Sequence, residues 1–480
     1  MVLSFIVIQT DKILPNKRER LYNYFAGKLT TAENLNRKVV SFQANKTEPI
    51  YRWFKYKEGF SSSLVKYFLT KYSPNPGKLL DPFAGTGTAL FAAQHLGWKS
   101  YGIEILPVGI FVMKTREALC SIPLEKLHTT INNLWNDFSQ LQDCNKHIHH
   151  ISITKDAFPE ETELSLDKYL TFCATIEDKN VQQVLRFAAF SVLEEISFTR
   201  KDGQYLRWDY RSKRTLSGKP FDKGEIETFE QAVTRKLNQL VQDLSSPHSH
   251  SLFDLPSNNG HQPIPLTIVE GSCLEELPMM EENVFDFIIT SPPYCNRYDY
   301  TRTYALELVY LGYDHTQVRD LRQSLLSCTV ENKDKIDYLN RVYSSLGKLS
   351  IVDAVLSVYN NSEAMTETND ILEELNTLNR LNNNNIPRMV KNYFLELCFT
   401  IFEMARIIKP GGYCVMVNDN VRYGGEEIPV DLILSEFAEK FGFNVREIFV
   451  LPKGKGNSSQ QMGNYGRTEI RKCVYVWQKI

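Results

Sequence analysis

Two short segments, far apart in the chain, combine residue types suited to binding a ligand and gripping a reacting group. The first is Asp81-Pro82-Phe83-Ala84-Gly85-Thr86-Gly87-Thr88, directly after the apolar pair Leu79-Leu80. Its two glycines let the backbone turn sharply and come close to a ligand. A loop at the end of a strand is also where open α/β sheets bind small molecules. The run Ser100-Tyr101-Gly102-Ile103 reads as the next strand and ends at Glu104, whose carboxylate can accept two hydrogen bonds from ribose hydroxyls. The spacing lacks a GxGxxG pattern, which disfavours a dinucleotide. The second segment is Ser291-Pro292-Pro293-Tyr294, after a strand signal from Val284 to Thr290. Two prolines stop the strand and fix a rigid turn. The Ser291 hydroxyl and the Pro292 carbonyl are acceptors. Placed around the N–H groups of an aromatic amine, they can pull it toward tetrahedral geometry and expose its lone pair, with no covalent intermediate.

Those segments need elements to hold them. Leu90, Phe91, Ala93 and Leu96 predict a helix after the glycine turn, and Phe394, Leu397, Ile401 and Met404 another, stopped by Pro410-Gly411-Gly412 before a strand from Tyr413 to Val417. Ile226, Phe229, Val233, Leu237 and Leu240 mark one apolar helix face. Val445–Leu451 and Cys473–Trp477 predict a closing pair of strands, and Phe5 to Ile8 an early one, too short for a secretory signal or a membrane span. Polar residues from Ser245 to Gly260 read as a linker, and the Gly-, Ser- and Gln-rich residues 453–472 as a loop ordered by substrate. Strands alternating with helices predict a parallel sheet covered on both faces. The chain divides into 1–115, with the first motif; 116–265, a helical insertion and candidate target-recognition region; 266–312, with the proline pair; 313–392, a second helical insertion; and 393–480, the remainder of the sheet.

Composition sets further bounds. Hydrophobic residues make up 42% and charged residues 23%, as in ordinary globular proteins, and the formal net charge is -2. A uniformly basic nucleic-acid coat is excluded, so any such surface is a local patch. Nine cysteines without a CxxC pair argue against a zinc site and fit a reducing cytoplasm. Arg297, Tyr298, Tyr300 and Arg302 follow the proline pair and are candidate nucleic-acid contacts, alternatively the start of a surface helix. Residues 199–214 interleave Arg200, Lys201, Arg207, Arg211, Lys213 and Arg214 with Tyr205, Trp208 and Tyr210. They read either as a nucleic-acid surface or as a solvated basic loop.

With Asp81 to Thr88, Gly102-Ile103-Glu104 and Thr290 to Tyr294 in place, the sequence resembles the amino-methyltransferases of DNA, which modify N4 of cytosine or N6 of adenine. The resemblance implies an α/β fold, a Rossmann-like seven-stranded methyltransferase sheet with helical insertions. It implies S-adenosyl-L-methionine as cofactor, held by Asp81, Phe83, Ala84, Gly85, Thr86, Gly87 and Glu104, with Phe60 from the Lys55–Ser62 segment and Ser272 where the family commonly has an acid. Ser291, Pro292, Pro293 and Tyr294 become the catalytic loop, and Tyr294 stacks on a flipped base. Serine before the proline pair favours cytosine N4. Cys295 does not follow a proline directly, as the nucleophile of a cytosine-C5 enzyme does. The implied partners are double-stranded DNA and a companion restriction endonuclease. The rival readings are an RNA base methyltransferase acting on tRNA and a non-catalytic binding protein of the same fold.

Overall fold

Short apolar runs such as Leu79-Leu80 and Phe287-Ile288-Ile289, buried on both faces, are what a parallel strand inside a helix-covered sheet requires. The computed structural model describes residues 16–32, 35–36, 38–142, 144–203, 205–214, 220–245, 264–452 and 470–480. The expected strand at Phe5–Ile8, the linker beyond Ser245 and nearly all of the 453–472 loop lie outside these residues.

The described strands are β1 (Leu29–Thr31), β2 (Lys78–Asp81), β3 (Lys99–Glu104), β4 (Thr199–Asp202), β5 (Tyr205–Trp208), β6 (Leu266–Glu270), β7 (Phe285–Thr290), β8 (Ile408–Asp419), β9 (Val421–Tyr423), β10 (Glu426–Ile428), β11 (Phe443–Val450) and β12 (Lys472–Lys479). Eight of them form one sheet in the order β1-β11-β12-β8-β7-β2-β3-β6. Strands β6, β3, β2, β7 and β8 are mutually parallel, while β12 runs antiparallel between β8 and β11. Seven of the eight make the expected Rossmann-like sheet. The eighth, β1, is a short edge strand parallel to β11, and its three residues gave no pattern in the sequence. The predicted late strands pair antiparallel, Val445 opposite Trp477.

The chain leaves β2 toward β3 and β6, then returns to β7 on β2's other side. That reversal opens a crevice at the carboxyl ends of β2 and β7, where doubly wound sheets bind ligands. Both sequence motifs sit there.

Between β3 and β6 lie helices Pro107–Ser121, Leu124–Gln140, Glu160–Thr175, Lys179–Val192 and Phe229–Ser245, plus the β4–β5 hairpin. They build an apolar cluster of their own, with Leu166, Phe187 and Leu237 fully buried. Between β7 and β8 lie helices His315–Ser324, Ile336–Ser345, Leu349–Asn361 and Glu363–Thr377, then Ile386–Ile407. That last helix ends at Ile407, before Pro410, so Pro410-Gly411-Gly412 lies inside β8. Gly412 is needed there, since a Cβ would sit 2.8 Å from the Ile408 side chain and 2.9 Å from the Asp286 carbonyl. No described helix is long and apolar enough to cross a membrane.

Candidate functional site

Strand β2 delivers Asp81 and turns at once. Phe83 N–H donates to Asp81 Oδ1 at 3.1 Å, and Ala84 N–H reaches the Ile103 carbonyl on β3 at 2.9 Å. Gly85 (φ 55°) and Gly87 (φ 78°) then take the left-handed conformation, which glycine adopts without a Cβ clash. Gly87 caps helix Thr88–His95. Glu104, at the end of β3, accepts three backbone N–H bonds: from Gly85 at 2.5 Å, Ile105 at 3.0 Å and Leu106 at 2.7 Å. A carboxylate has about four acceptor positions. The predicted pair of ribose hydrogen bonds therefore meets a carboxylate with room for one more, unless the Gly85 bond is exchanged.

The two motifs are physically joined. Thr290, the last residue of β7, donates its hydroxyl to Asp81 Oδ1 at 2.7 Å. Burial pushes the Asp81 carboxyl up to about 7, against the lowering effect of the Thr290 and Phe83 bonds. Burial likewise raises Glu104 to about 7, opposed by its three backbone donors. Past Thr290, the Ser291 hydroxyl donates to the Tyr294 phenol oxygen at 3.3 Å. Burial and the nearby Asp419 carboxylate raise the Tyr294 pKa, so the phenol is neutral at physiological pH.

One cleft takes in both loops. Its walls include Phe60, Asp81, Phe83, Ala84, Gly85, Thr86, Glu104 and Ser272. Ser291 and Pro293 face it as well, as does Tyr300. Pro292, Gly87 and Tyr294 are not part of its walls: Pro292 is buried, and Gly87 and Tyr294 each follow a wall residue in the chain. Ser272 has a local task too: it caps helix Cys273–Met279 by accepting from Leu274 N–H. Phe60 is fixed through Asn45, whose buried amide donates to the Phe60 carbonyl at 3.0 Å and accepts from Ser62 N–H at 3.1 Å. The remaining candidates divide. Tyr298 donates to Glu58 on the cleft wall, whereas Arg297 donates to Asn382 at 2.6 Å and Arg302 pairs with Glu331 at 2.9 Å. Cys295 is fully buried, and burial raises its thiol pKa, so no reactive thiolate stands beside the loop.

Several residues at the cleft had little or no signal. Glu58 receives hydroxyls from both Tyr298 and Tyr304, and Tyr56 stacks on Tyr304 at 5.4 Å, tying the 56–60 segment to the chain beyond the proline pair. Leu325 and Leu326 come from the second insertion. Behind the glycine turn, the buried Arg116 guanidinium donates to the Thr86 carbonyl between the rings of Tyr51 and Phe91, and burial lowers it to about 10. The pattern around Lys55–Ser62 pointed to Tyr56 and Glu58 by position only; nothing marked Arg116.

The strand order and the meeting of a glycine turn with a proline-pair loop at the switch point define a Rossmann-like methyltransferase. A family model described as DNA methylase matches residues 16–108. The chain is 46% identical over 461 residues to the type II methyltransferase M.AvaI of Anabaena variabilis, covering 95% of this chain and 92% of that protein. It is 42% identical over 467 residues to the type II methyltransferase M.BsoBI of Geobacillus stearothermophilus, covering 93% and 89%. Similarity at 24% identity over 476 residues extends to the type II methyltransferase M.MvaI of Kocuria varians. The chain belongs to the family of type II methyltransferases.

Proposed function

We propose that the protein methylates N4 of a cytosine flipped out of double-stranded DNA, using S-adenosyl-L-methionine, as the modifying half of a cytoplasmic restriction–modification pair with a cognate endonuclease. The observation that carries this reading is the single cleft in which the Glu104–Gly85 loop and Ser291 face one another, fastened by the Thr290–Asp81 hydrogen bond. The residues present suit a nucleoside-like cation. Two buried carboxyls favour positive charge, the left-handed glycine turn admits close approach, and Phe60 and Phe83 add apolar wall. When bound, the cofactor supplies a methyl group on a cationic sulfur, which leaves as a neutral thioether as the N–C bond forms.

The chain's own task is to make a poor nucleophile competent. An aromatic amine delocalises its lone pair into the ring. The Ser291 hydroxyl and the Pro292 carbonyl accept from its two N–H groups, which favours the pyramidal form and holds the nitrogen toward the cofactor loop. Transfer leaves the nitrogen cationic, and it sheds one proton to water. The choice of cytosine N4 over adenine N6 rests on the resemblance, in which serine before the proline pair leans toward cytosine. The test is incubation of duplex DNA with labelled cofactor, followed by mass spectrometry of the nucleosides. N4-methylcytosine is expected. N6-methyladenine would overturn the choice of base, and transfer to tRNA with none to duplex would overturn the substrate.

A further inference from the structure

Beside the cleft lies a second depression with a different character. One wall is the turn around Ser152; the other carries Thr301, Arg302, His315, Arg319 and Arg322. None of its lining residues is acidic. His315, Arg319 and Arg322 fall at positions i, i+4 and i+7 of helix His315–Ser324, so one helix face presents all three. The facing wall is braced from behind by Arg214, which donates to the carbonyls of Ser152 and Lys155.

Acidic partners are nearby, and their placement matters. Asp299 is buried and shared, 3.2 Å from Arg302 and 3.0 Å from Arg322. Asp320, 3.4 Å from Arg319, and Glu331, 2.9 Å from Arg302, are solvent-accessible. Exposed pairs of this kind contribute little in water, and an incoming phosphate can replace them. Arg319 and Arg322 engage the protein through Nε, so each guanidinium keeps donors for an anion, and a guanidinium fork matches a phosphate's oxygens.

The depression and the cleft share one turn of helix. Residues Tyr300–Thr303 form it, capped by Asp299, which accepts from Thr301 and Arg302 N–H. Tyr300 faces the cleft, while Thr301 and Arg302 line the depression. We propose that this basic depression seats a backbone phosphate of the DNA strand whose base enters the cleft, an inference that rests on DNA being the substrate. A phosphate held there fixes the strand's register one helical turn from the amine-gripping loop and carries no sequence information.

The test uses the full chain with S-adenosylmethionine and a duplex containing the methylation site. Duplex binding is followed by fluorescence anisotropy over a salt series, alongside steady-state methyl transfer. Arg319→Gln removes an exposed side chain, and Arg319→Glu reverses its charge. For Arg319→Gln, the slope of log K against log salt should become shallower by about 0.9, the signature of one lost phosphate contact. The KM for DNA should rise about tenfold, with the effect on KM rather than on kcat. Arg319→Glu should act in the same direction and more strongly, and cofactor affinity should not move. Unchanged slope and KM in both variants, with methylation intact, would overturn the phosphate seat and leave the reaction standing. An Arg319-dependent slope in a chain that transfers no methyl group to DNA would do the reverse.

Discussion

The loops at the ends of β2 and β7 and the stretch 199–214 both crowd polar and aromatic residues into a few positions, yet the fold gives them different surroundings. In the loops, chemistry-bearing groups face a cleft: Asp81, Thr86 and Ser291 all line it. In the stretch, one cation turns inward and two are tied to neighbouring groups, while Arg200, Arg207 and Lys213 stay exposed. Lys201 is buried against Glu307, with side chains 6% and 2% exposed. Arg211 binds Asp209 through two nitrogens, at 2.6 and 2.9 Å, and holds its carboxyl down at about 2. Arg214 lies 3.9 Å from the Trp208 ring. Of the predicted readings, a nucleic-acid surface or a solvated loop, neither describes the buried Lys201, whereas Arg200, Arg207, Arg211 and Lys213 are exposed as both require. The difference teaches that a loop after a parallel strand has its role fixed by topology. A basic stretch in an insertion has its role fixed by whichever carboxylates the rest of the fold supplies.

That contrast can be broken experimentally. The largest expected effect lies in the stretch, on stability. Lys201→Met leaves Glu307 buried and unpaired and should cost about 3–5 kcal/mol in denaturant unfolding. The salt dependence of DNA binding should stay as it was; a shallower slope would restore Lys201 as a phosphate contact. Next comes the proline-pair loop, on rate. Ser291→Ala should lower kcat by about 100-fold with cofactor affinity retained, and full activity would remove Ser291 from the mechanism. For the glycine loop the effect falls on binding: Glu104→Ala should weaken cofactor affinity by about 10- to 100-fold in isothermal titration.

Two smaller effects sharpen the comparison. Thr290→Val removes the bond that fastens β7 to Asp81 and should cost about 1 kcal/mol. Asp81 would then ionise at still higher pH, because Thr290 holds its pKa down. Burial raises Asp81 and Glu104 from ordinary carboxyl values of 3.8 and 4.5 to about 7. Between about pH 4 and pH 7 the folded chain therefore holds protons that the unfolded chain has released. Their joint contribution to stability falls as pH rises through that window and is level above it. Thermal melts across pH should show this slope reduced in Asp81→Asn, and an unchanged profile would mean that Asp81 is not protonated in the fold.

Much of the site could be read without coordinates. Phe60, Asp81, Glu104, Ser272 and Ser291 were each marked by a motif or its neighbourhood, and all line the cleft. The α/β class followed from alternating strand and helix signals, because burial on both faces of a parallel strand leaves a continuous apolar run. Arg116, Leu325 and Leu326 were not legible. They reach the glycine turn or the cleft by tertiary packing, and no local period or spacing records a contact between distant segments. The pair between Arg302 and Glu331 was not legible either, because that partner lies in another element.

The sequence by itself determined which residue types stand at the strand ends, and that the glycine turn and the proline stop would be sharp, since both follow from local backbone sterics. Only the tertiary structure decided that β7 returns beside β2, that Thr290 closes on Asp81, and that one helical turn links the cleft to a basic depression. The physical reason is range. Steric limits act over a few neighbouring residues, whereas strand order and the pairing of buried charges are set by packing between segments hundreds of residues apart.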